Sequence, residues 1–332
     1  MIEVRGLSKD FHVHKKQAGL WGSLRSLVKR ETLVKHAVKA ADFRVREGEI
    51  VGLVGANGAG KTTLVKMLAG IIHPTGGDAH VLGHRPWERP RDFQRQIALI
   101  MGQKAQLWWD LPAADCFLLL REIYQIPEHE YRESLDLLTD MLGVKGEINI
   151  QIRRLSLGER MKMELIAALL HKPRVVFLDE PTIGLDLTAQ RAIREFILEY
   201  RQRERPAMLL TSHYMEDIER LCERILIIRE GELVFDGPLA EVMRTHARHK
   251  VVRVQLKPGA APPDLRHLLG RGLDLTVLEE TPERLRIQAP RDEIPQLAGR
   301  LVTELEVHDL SVEELDIGTV IEGLLHSRKA TA

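Results

Sequence analysis

Residues 55–62 read Gly-Ala-Asn-Gly-Ala-Gly-Lys-Thr, a glycine-rich turn closed by a lysine and a threonine. The apolar run Ile50-Val51-Gly52-Leu53-Val54 before it predicts a buried strand. After it, Thr63-Leu64-Val65-Lys66-Met67-Leu68-Ala69 predicts a helix that stops at Gly70. Strand, turn and helix in this order are the setting a phosphate-binding loop requires. Its glycines (Gly55, Gly58, Gly60) let backbone N–H groups, with those around Asn57 and Thr63, curl around phosphate oxygens, and the helix start adds unpaired donors and partial positive charge. Lys61 can reach the outer phosphates of a nucleotide, and the Thr62 hydroxyl can bind Mg²⁺.

With 332 residues the chain has room for two or three domains. Lys+Arg and Asp+Glu both number 48, which argues against a globally basic nucleic-acid binder. Cys116 and Cys222 are far apart and form no metal-ligand spacing, which fits a reduced, cytosolic compartment. No apolar run approaches the roughly 18–20 residues that cross a bilayer, and the charged, strand-like N-terminus does not read as a signal peptide. Docking on a membrane stays open.

In chain order, residues 1–7 alternate as a strand with Phe11 near its end. Residues 15–30 place Leu20, Leu24 and Leu27 at helical spacing beside Trp21 and Val28, with Arg25, Lys29 and Arg30 off that stripe. This basic amphipathic insertion, spanning about 12–33, suits a membrane surface, a partner groove or packing on its own domain. Strands are expected at 38–45 and 95–101, the second leading to Gly102-Gln103 and then Trp108-Trp109. Residues 112–142 read as helical, capped at Gly143. Ser156-Leu157-Gly158-Glu159 opens a helix to about Leu170 with a capping box, which alone can explain both polar residues. Arg174-Val175-Val176-Phe177-Leu178 reads as a strand covered on both faces, delivering Asp179-Glu180 where open α/β sheets bind ligands. A helix at 187–202, a strand at 207–211 delivering Ser212-His213, and paired strands around Glu230-Gly231 follow. Beyond residue 238 the order β-α-β-β-α-β predicts a small ferredoxin-like α+β domain, closed by a helix from about Val312 to Leu325. It shows no catalytic cluster and reads as an accessory or dimerisation domain.

Together these stretches resemble the nucleotide-binding subunit of an ATP-binding-cassette (ABC) transporter, over residues 1–237. Gly55–Thr62 matches Walker A, Gln103 the Q-loop, and Leu155-Ser156-Leu157-Gly158-Glu159 the LSGGQ signature. Val175–Glu180 matches Walker B with its catalytic glutamate, Gly184-Leu185-Asp186 the D-loop, and His213 the switch histidine. Leu157 replaces a glycine of the signature, and Glu159 its glutamine. The resemblance implies an α/β fold, a P-loop NTPase cassette with a mixed sheet core and a helical subdomain at about 104–172. The second domain then covers 238–332.

The resemblance further implies ATP and Mg²⁺ as cofactors, with Thr62, Asp179 and Gln103 at the metal, Glu180 polarising water and His213 sensing the γ-phosphate. Phe11 is the best match for the adenine-stacking aromatic. Ser156, Gly158 and Asp186 would act across a dimer with an identical or homologous ATPase subunit, although Asp186 also reads as a helix N-cap. Within the family the chain looks most like subunits of drug- and polysaccharide-type exporters, whose permease is a separate membrane chain. Such a subunit sits peripherally on the cytoplasmic face of the membrane and binds no nucleic acid. The competing function is a soluble cassette ATPase acting on ribosomes or DNA.

Overall fold

The computed structural model describes residues 1–14, 32–246, 249–257 and 275–314, with Gly318 and Val320. Residues 15–31 of the insertion, the expected helix near 265–269 and most of the terminal helix lie outside them, while the insertion's expected ends, 12–14 and 32–33, are instead strand, Val13 pairing with Leu33 and His14 with Thr32. The chain divides into two units, Met1–Gly237 and Pro238–Ala332.

Unit 1 begins with the long strands β1 (Ile2–His14) and β2 (Thr32–Val45), then β3 (Ile50–Val54) and α1 (Lys61–Leu68). β4 (Gly76–Val81), the single turn α2 (Arg91–Gln94) and β5 (Ile97–Met101) follow. The helical stretch read at 112–142 is two helices, α3 (Ala113–Tyr124) and α4 (Glu128–Leu142). Gln125 turns left-handed at φ 56° and Pro127 supplies no N–H, so the first helix cannot run on. Next come α5 (Leu157–Leu169), β6 (Val175–Asp179), α6 (Leu187–Glu204), β7 (Ala207–Thr211), α7 (Met215–Leu221), β8 (Arg224–Arg229) and β9 (Glu232–Pro238).

Two sheets enclose the core. One is antiparallel, in the order β2-β1-β4; the other runs β5-β6-β7-β3-β8-β9. In the second, β5 through β8 pair in parallel. The β8–β9 turn places Glu230 at φ 49° and Gly231 at φ 84°, the backbone of a two-residue hairpin. α1 lies between the sheets: Leu64, Val65, Met67 and Leu68 are buried with Val4 and Phe43 from one sheet and Phe177 and Leu209 from the other. The apolar run of β6 is explained by this burial on both faces. The parallel order brings the C-terminal ends of β3, β5, β6 and β7 to one edge, where the loop residues of interest emerge.

α3, α4 and α5 form the helical part of unit 1. His171, just beyond α5, donates from Nε2 to the Ile97 carbonyl at 3.0 Å and stacks on Tyr124 at 3.9 Å between centroids. Its buried Nδ1 has no partner. Burial therefore pushes the imidazole down to about 4. The unfolded chain protonates first, so stability present above pH 6.5 is lost as pH falls towards 4, by about 3 kcal/mol in all. His171→Phe, which keeps the stack, is expected to flatten that acid limb in thermal melts measured across this window. An unchanged pH profile would refute the assignment.

Unit 2 comprises α8 (Leu239–His246), β10 (His249–Leu256), β11 (Thr276–Glu280), β12 (Arg284–Pro290), α9 (Ile294–Glu304) and β13 (Val307–Glu314). Its sheet is antiparallel, in the order β11-β12-β10-β13. This is the ferredoxin-like order expected from the alternating pattern. Ile294, Leu297 and Leu301 of α9 cover the inner residues Val252, Val254, Leu285 and Ile287. The expected helix start at Val312 is corrected: residues 312–314 continue β13, pairing with Val252, Val251 and Lys250. Backbone pairing to a central strand outweighs a local helical pattern there.

Candidate nucleotide site

The loop between β3 and α1 is shaped by close approach. A Cβ on Gly60, at φ 113°, would stand 2.2 Å from the Ala37 carbonyl oxygen, so only glycine fits. A concavity of about 200 Å³ is lined by Phe11, Lys35, Ala37, Asn57, Gly58, Gly60, Lys61, Thr62, Thr63 and Glu180. Phe11 reaches it from β1, where it pairs with Lys35. Lys61 Nζ donates to the carbonyls of Gly55 at 2.6 Å and Ala56 at 3.2 Å. Burial pushes this ammonium below the ordinary lysine range, while the carboxylates of Glu180 and Asp179 pull it back up.

A second concavity, about 140 Å³, adjoins at Thr62 and Glu180 and takes in Lys66, Met101, Gln103, Lys104 and Asp179. Thr62 Oγ1 donates to Asp179 Oδ1 at 3.3 Å, and Thr211 Oγ1 donates to the same oxygen at 2.7 Å. A hydroxyl beside a carboxylate suits Mg²⁺, which prefers oxygen ligands and completes its octahedron with water and substrate phosphates. Among the described residues no group of three or more His, Cys, Asp or Glu is placed to hold a metal.

Glu180 is clasped from both sides. His213 Nε2 lies 2.7 Å from Glu180 Oε1, and Gln103 Nε2 donates to Oε2 at 2.6 Å. The Glu180 backbone is left-handed at φ 58°, a strained position for a side chain with a Cβ. It is held there by its N–H, which donates to the Thr211 carbonyl at 3.0 Å and to Thr211 Oγ1 at 3.2 Å. Gly102 admits this turn, because a Cβ there would stand 1.9 Å from the Glu180 carbonyl oxygen.

Ser156, Gly158 and Asp186 line neither concavity. Ser156 and Glu159 form the capping box of α5, the hydroxyl accepting from the Glu159 N–H at 3.3 Å. Asp186 caps α6, accepting from the Ala189 N–H at 2.9 Å. The two helix starts adjoin: a Cβ on Gly158 would stand 3.0 Å from Ala189 Cβ.

Sequence reading missed the residues that brace this site. Asp217, fully buried on α7, accepts from Arg194 Nε at 2.6 Å, from Ser212 Oγ at 2.5 Å and from Thr182 Oγ1. It thus ties the segment after Glu180 to the segment before His213. The only linear signal was a hydroxyl on each side, Thr182 and Ser212. Asp217→Ala would leave the Arg194 guanidinium buried with Glu216 as its remaining carboxylate at 2.8 Å. The expected cost is about 3–5 kcal/mol, read as a fall in melting temperature. A melt within a degree or so of wild type would refute this.

Residues 38–183 match the family model described as ABC transporter, and residues 248–313 match the one described as EvrA-like ABC transporter, C-terminal domain. The ABC transporter ATP-binding protein NatA of Bacillus subtilis is 32% identical over 206 residues, 62% of this chain and 83% of NatA. The chain belongs to the ABC transporter ATP-binding proteins. Other relatives of this cassette include the Nod factor export ATP-binding protein I of Burkholderia thailandensis, 30% identical over 80% of this chain and 86% of that protein. The daunorubicin/doxorubicin resistance ATP-binding protein DrrA of Streptomyces peucetius is 28% identical over 87% of each chain. A solved ATP-binding subunit of an ABC transporter superposes with TM-score 0.61 at 26% identity, over 74% of this chain and 92% of that one. The cassette MJ0796, solved as a dimer bound to ADP and Pi, shares the fold with TM-score 0.59 at 20% identity, over 72% of this chain and 98% of that one. As an ABC cassette the chain is an ATP-binding protein of a family of ATPases. No described helix is long and apolar enough to cross a membrane.

Proposed function

We propose that the chain is the ATP-hydrolysing subunit of an ABC exporter, driving a drug-like, lipid or polysaccharide substrate through a separate membrane permease. The observation that supports hydrolysis most is the Glu180 carboxylate, held between His213 and Gln103 beside the Lys61 loop. Exporter names among the relatives, for Nod factor and for daunorubicin resistance, support the direction and the substrate class.

In this reading Phe11 stacks on the adenine, and the amides around Gly55, Asn57, Gly58, Gly60 and Thr63 cradle the phosphates. Lys61 neutralises the outer phosphates. Thr62 and Asp179, with Gln103, hold Mg²⁺, which would supply charge neutralisation at the transferring phosphoryl group. Glu180 orients the attacking water and takes up its proton as the bond to the γ-phosphorus forms and ADP leaves. His213 contacts the γ-phosphate. Ser156, Gly158 and Asp186, apart from this pocket, serve the nucleotide of a second ATPase subunit in a head-to-tail dimer. ATP-driven closure and opening of that dimer would move the permease. The half-exposed Trp108 and Trp109 are candidate anchors for it. The subunit would sit on the cytoplasmic face of the membrane, with unit 2 as an accessory domain.

The test is to express the tagged chain at native level, solubilise gently and identify what co-purifies. An integral membrane protein is expected. Ribosomes or DNA instead, with ATPase activity intact, would favour a soluble cassette and overturn the exporter reading.

A further inference from the structure

The loop after β5 is anchored twice, to two different parts of unit 1. At its start, Gly102 donates to the Asp179 carbonyl at 2.9 Å and Lys104 to the Met101 carbonyl at 3.0 Å, while Gln103 reaches Glu180. Here the loop belongs to the sheet. Three residues past Gln103 it is caught by a carboxylate. Glu164, in the middle of α5 and 7% exposed, accepts the backbone N–H of Gln106 at 2.8 Å and of Leu107 at 3.2 Å, both on Oε1. Further on, Ile152 donates to the Leu111 carbonyl at 3.0 Å and Arg153 to the Trp109 carbonyl at 3.1 Å. The Gln106 side chain also reaches back to β5, its Nε2 donating to the Leu99 carbonyl at 3.0 Å, so the loop belongs to the helical part from Leu107 onward.

Ser156, Arg160 and Glu164 recur every fourth residue, in line along α5. The first caps the helix at the signature. The second places its guanidinium 4.9 Å from the centroid of the Trp109 ring. The third holds the loop. Between the Lys104 N–H, held by Met101, and the Gln106 N–H, held by Glu164, Ala105 is the span left. A displacement of α5 is transmitted through so short a span to Gln103. A leucine at 164 would fill similar space without desolvating a charge, but would strand two N–H donors.

We propose that Glu164 is a positioning residue: it latches the loop to α5, so that the position of the signature helix sets the reach of Gln103 to Glu180. This rests on the ATPase reading above. The test measures steady-state ATP turnover and equilibrium ATP binding on the full chain, for wild type, Glu164→Leu and Glu164→Gln. Glu164→Leu is expected to lower kcat about fivefold or more with the ATP Kd within about twofold of wild type. Glu164→Gln, whose amide oxygen still accepts both N–H groups, is expected to restore kcat to within about twofold. A purely structural role would not split kcat from Kd or be rescued in this way. Should Glu164→Leu fail to fold, a Gly-Gly insertion between Lys104 and Ala105 slackens the span with Glu164 intact, and the same kcat loss is expected. Turnover equal to wild type in the leucine variant, or in the insertion variant where that one is needed, overturns the latch alone. A wild type that binds ATP and never hydrolyses it overturns the ATPase reading and the latch together.

Discussion

Replacing Glu180 by Gln is expected to yield a protein that binds ATP and does not turn it over. The two side chains have nearly the same shape, and the site holds this one closely: His213 at 2.7 Å from one oxygen, Gln103 at 2.6 Å from the other. Either contact can be kept by an amide, with Gln103 turning its oxygen towards the new N–H₂. The backbone strain at φ 58° is supported through Thr211 and is unaffected by the substitution. Packing and nucleotide contacts are therefore retained. What is lost is a carboxylate able to accept a proton from water, and kcat should fall roughly 10²- to 10⁴-fold. ATP affinity should stay within about threefold, since Lys61 and the loop amides are untouched. Phosphate release over time, beside retention of labelled ATP on purified protein, separates the two quantities. Full turnover by Glu180→Gln would remove Glu180 from the chemistry.

What could be read from the chain was what lies close along it. The phosphate loop is contiguous, and strand, turn and helix follow without a break, so Gly55–Thr62 was legible with its role. Asp179-Glu180 and His213 were legible because each ends a strongly apolar strand. Thr211 was not: as the last residue of β7 it looked like β-propensity, and its hydroxyl meets Asp179 only because β6 and β7 pair in parallel. Glu164 was hidden for the same reason, since its partners Gln106 and Leu107 lie 58 and 57 residues away. Errors of extent have a common cause. β4 and α7 are short and form through tertiary pairing or packing, and β13 runs past its expected end because β10 offers it a partner. The Ser156 capping box and the Asp186 N-cap were both anticipated as local structure and both are present. Their caps do not exclude a role at a partner's nucleotide, because a helix start already presents donors that such a ligand can share.

Lys61→Ala should fail one step earlier, at binding. Lys61 is 6% exposed, and its ammonium rests on two carbonyls of its own loop, at 2.6 Å and 3.2 Å. Glu180 and Asp179 are the carboxylates whose charge it feels, and burial works against it. Removing it leaves Lys35 as the cation lining the first concavity among the described residues, and leaves two carboxylates facing an incoming polyphosphate. Losing one buried charged partner costs about 2–4 kcal/mol, or roughly 30- to 1,000-fold in ATP affinity. The fold itself should be indifferent: alanine suits the first turn of α1, and its buried face of Leu64, Val65, Met67 and Leu68 is unchanged. The discriminating measurement is therefore the melting temperature as a function of ATP concentration. Without nucleotide the variant should melt within a few degrees of wild type. With millimolar ATP the wild type should rise by the amount that RT ln(1 + [L]/Kd) implies, and the variant should barely move. An ATP-dependent rise equal to that of wild type would mean that the loop amides alone hold the nucleotide. Lys61→Arg is not expected to restore binding, because the planar guanidinium is broader than an ammonium and the glycine-walled loop is closed by Ala37 and Ile228 behind it.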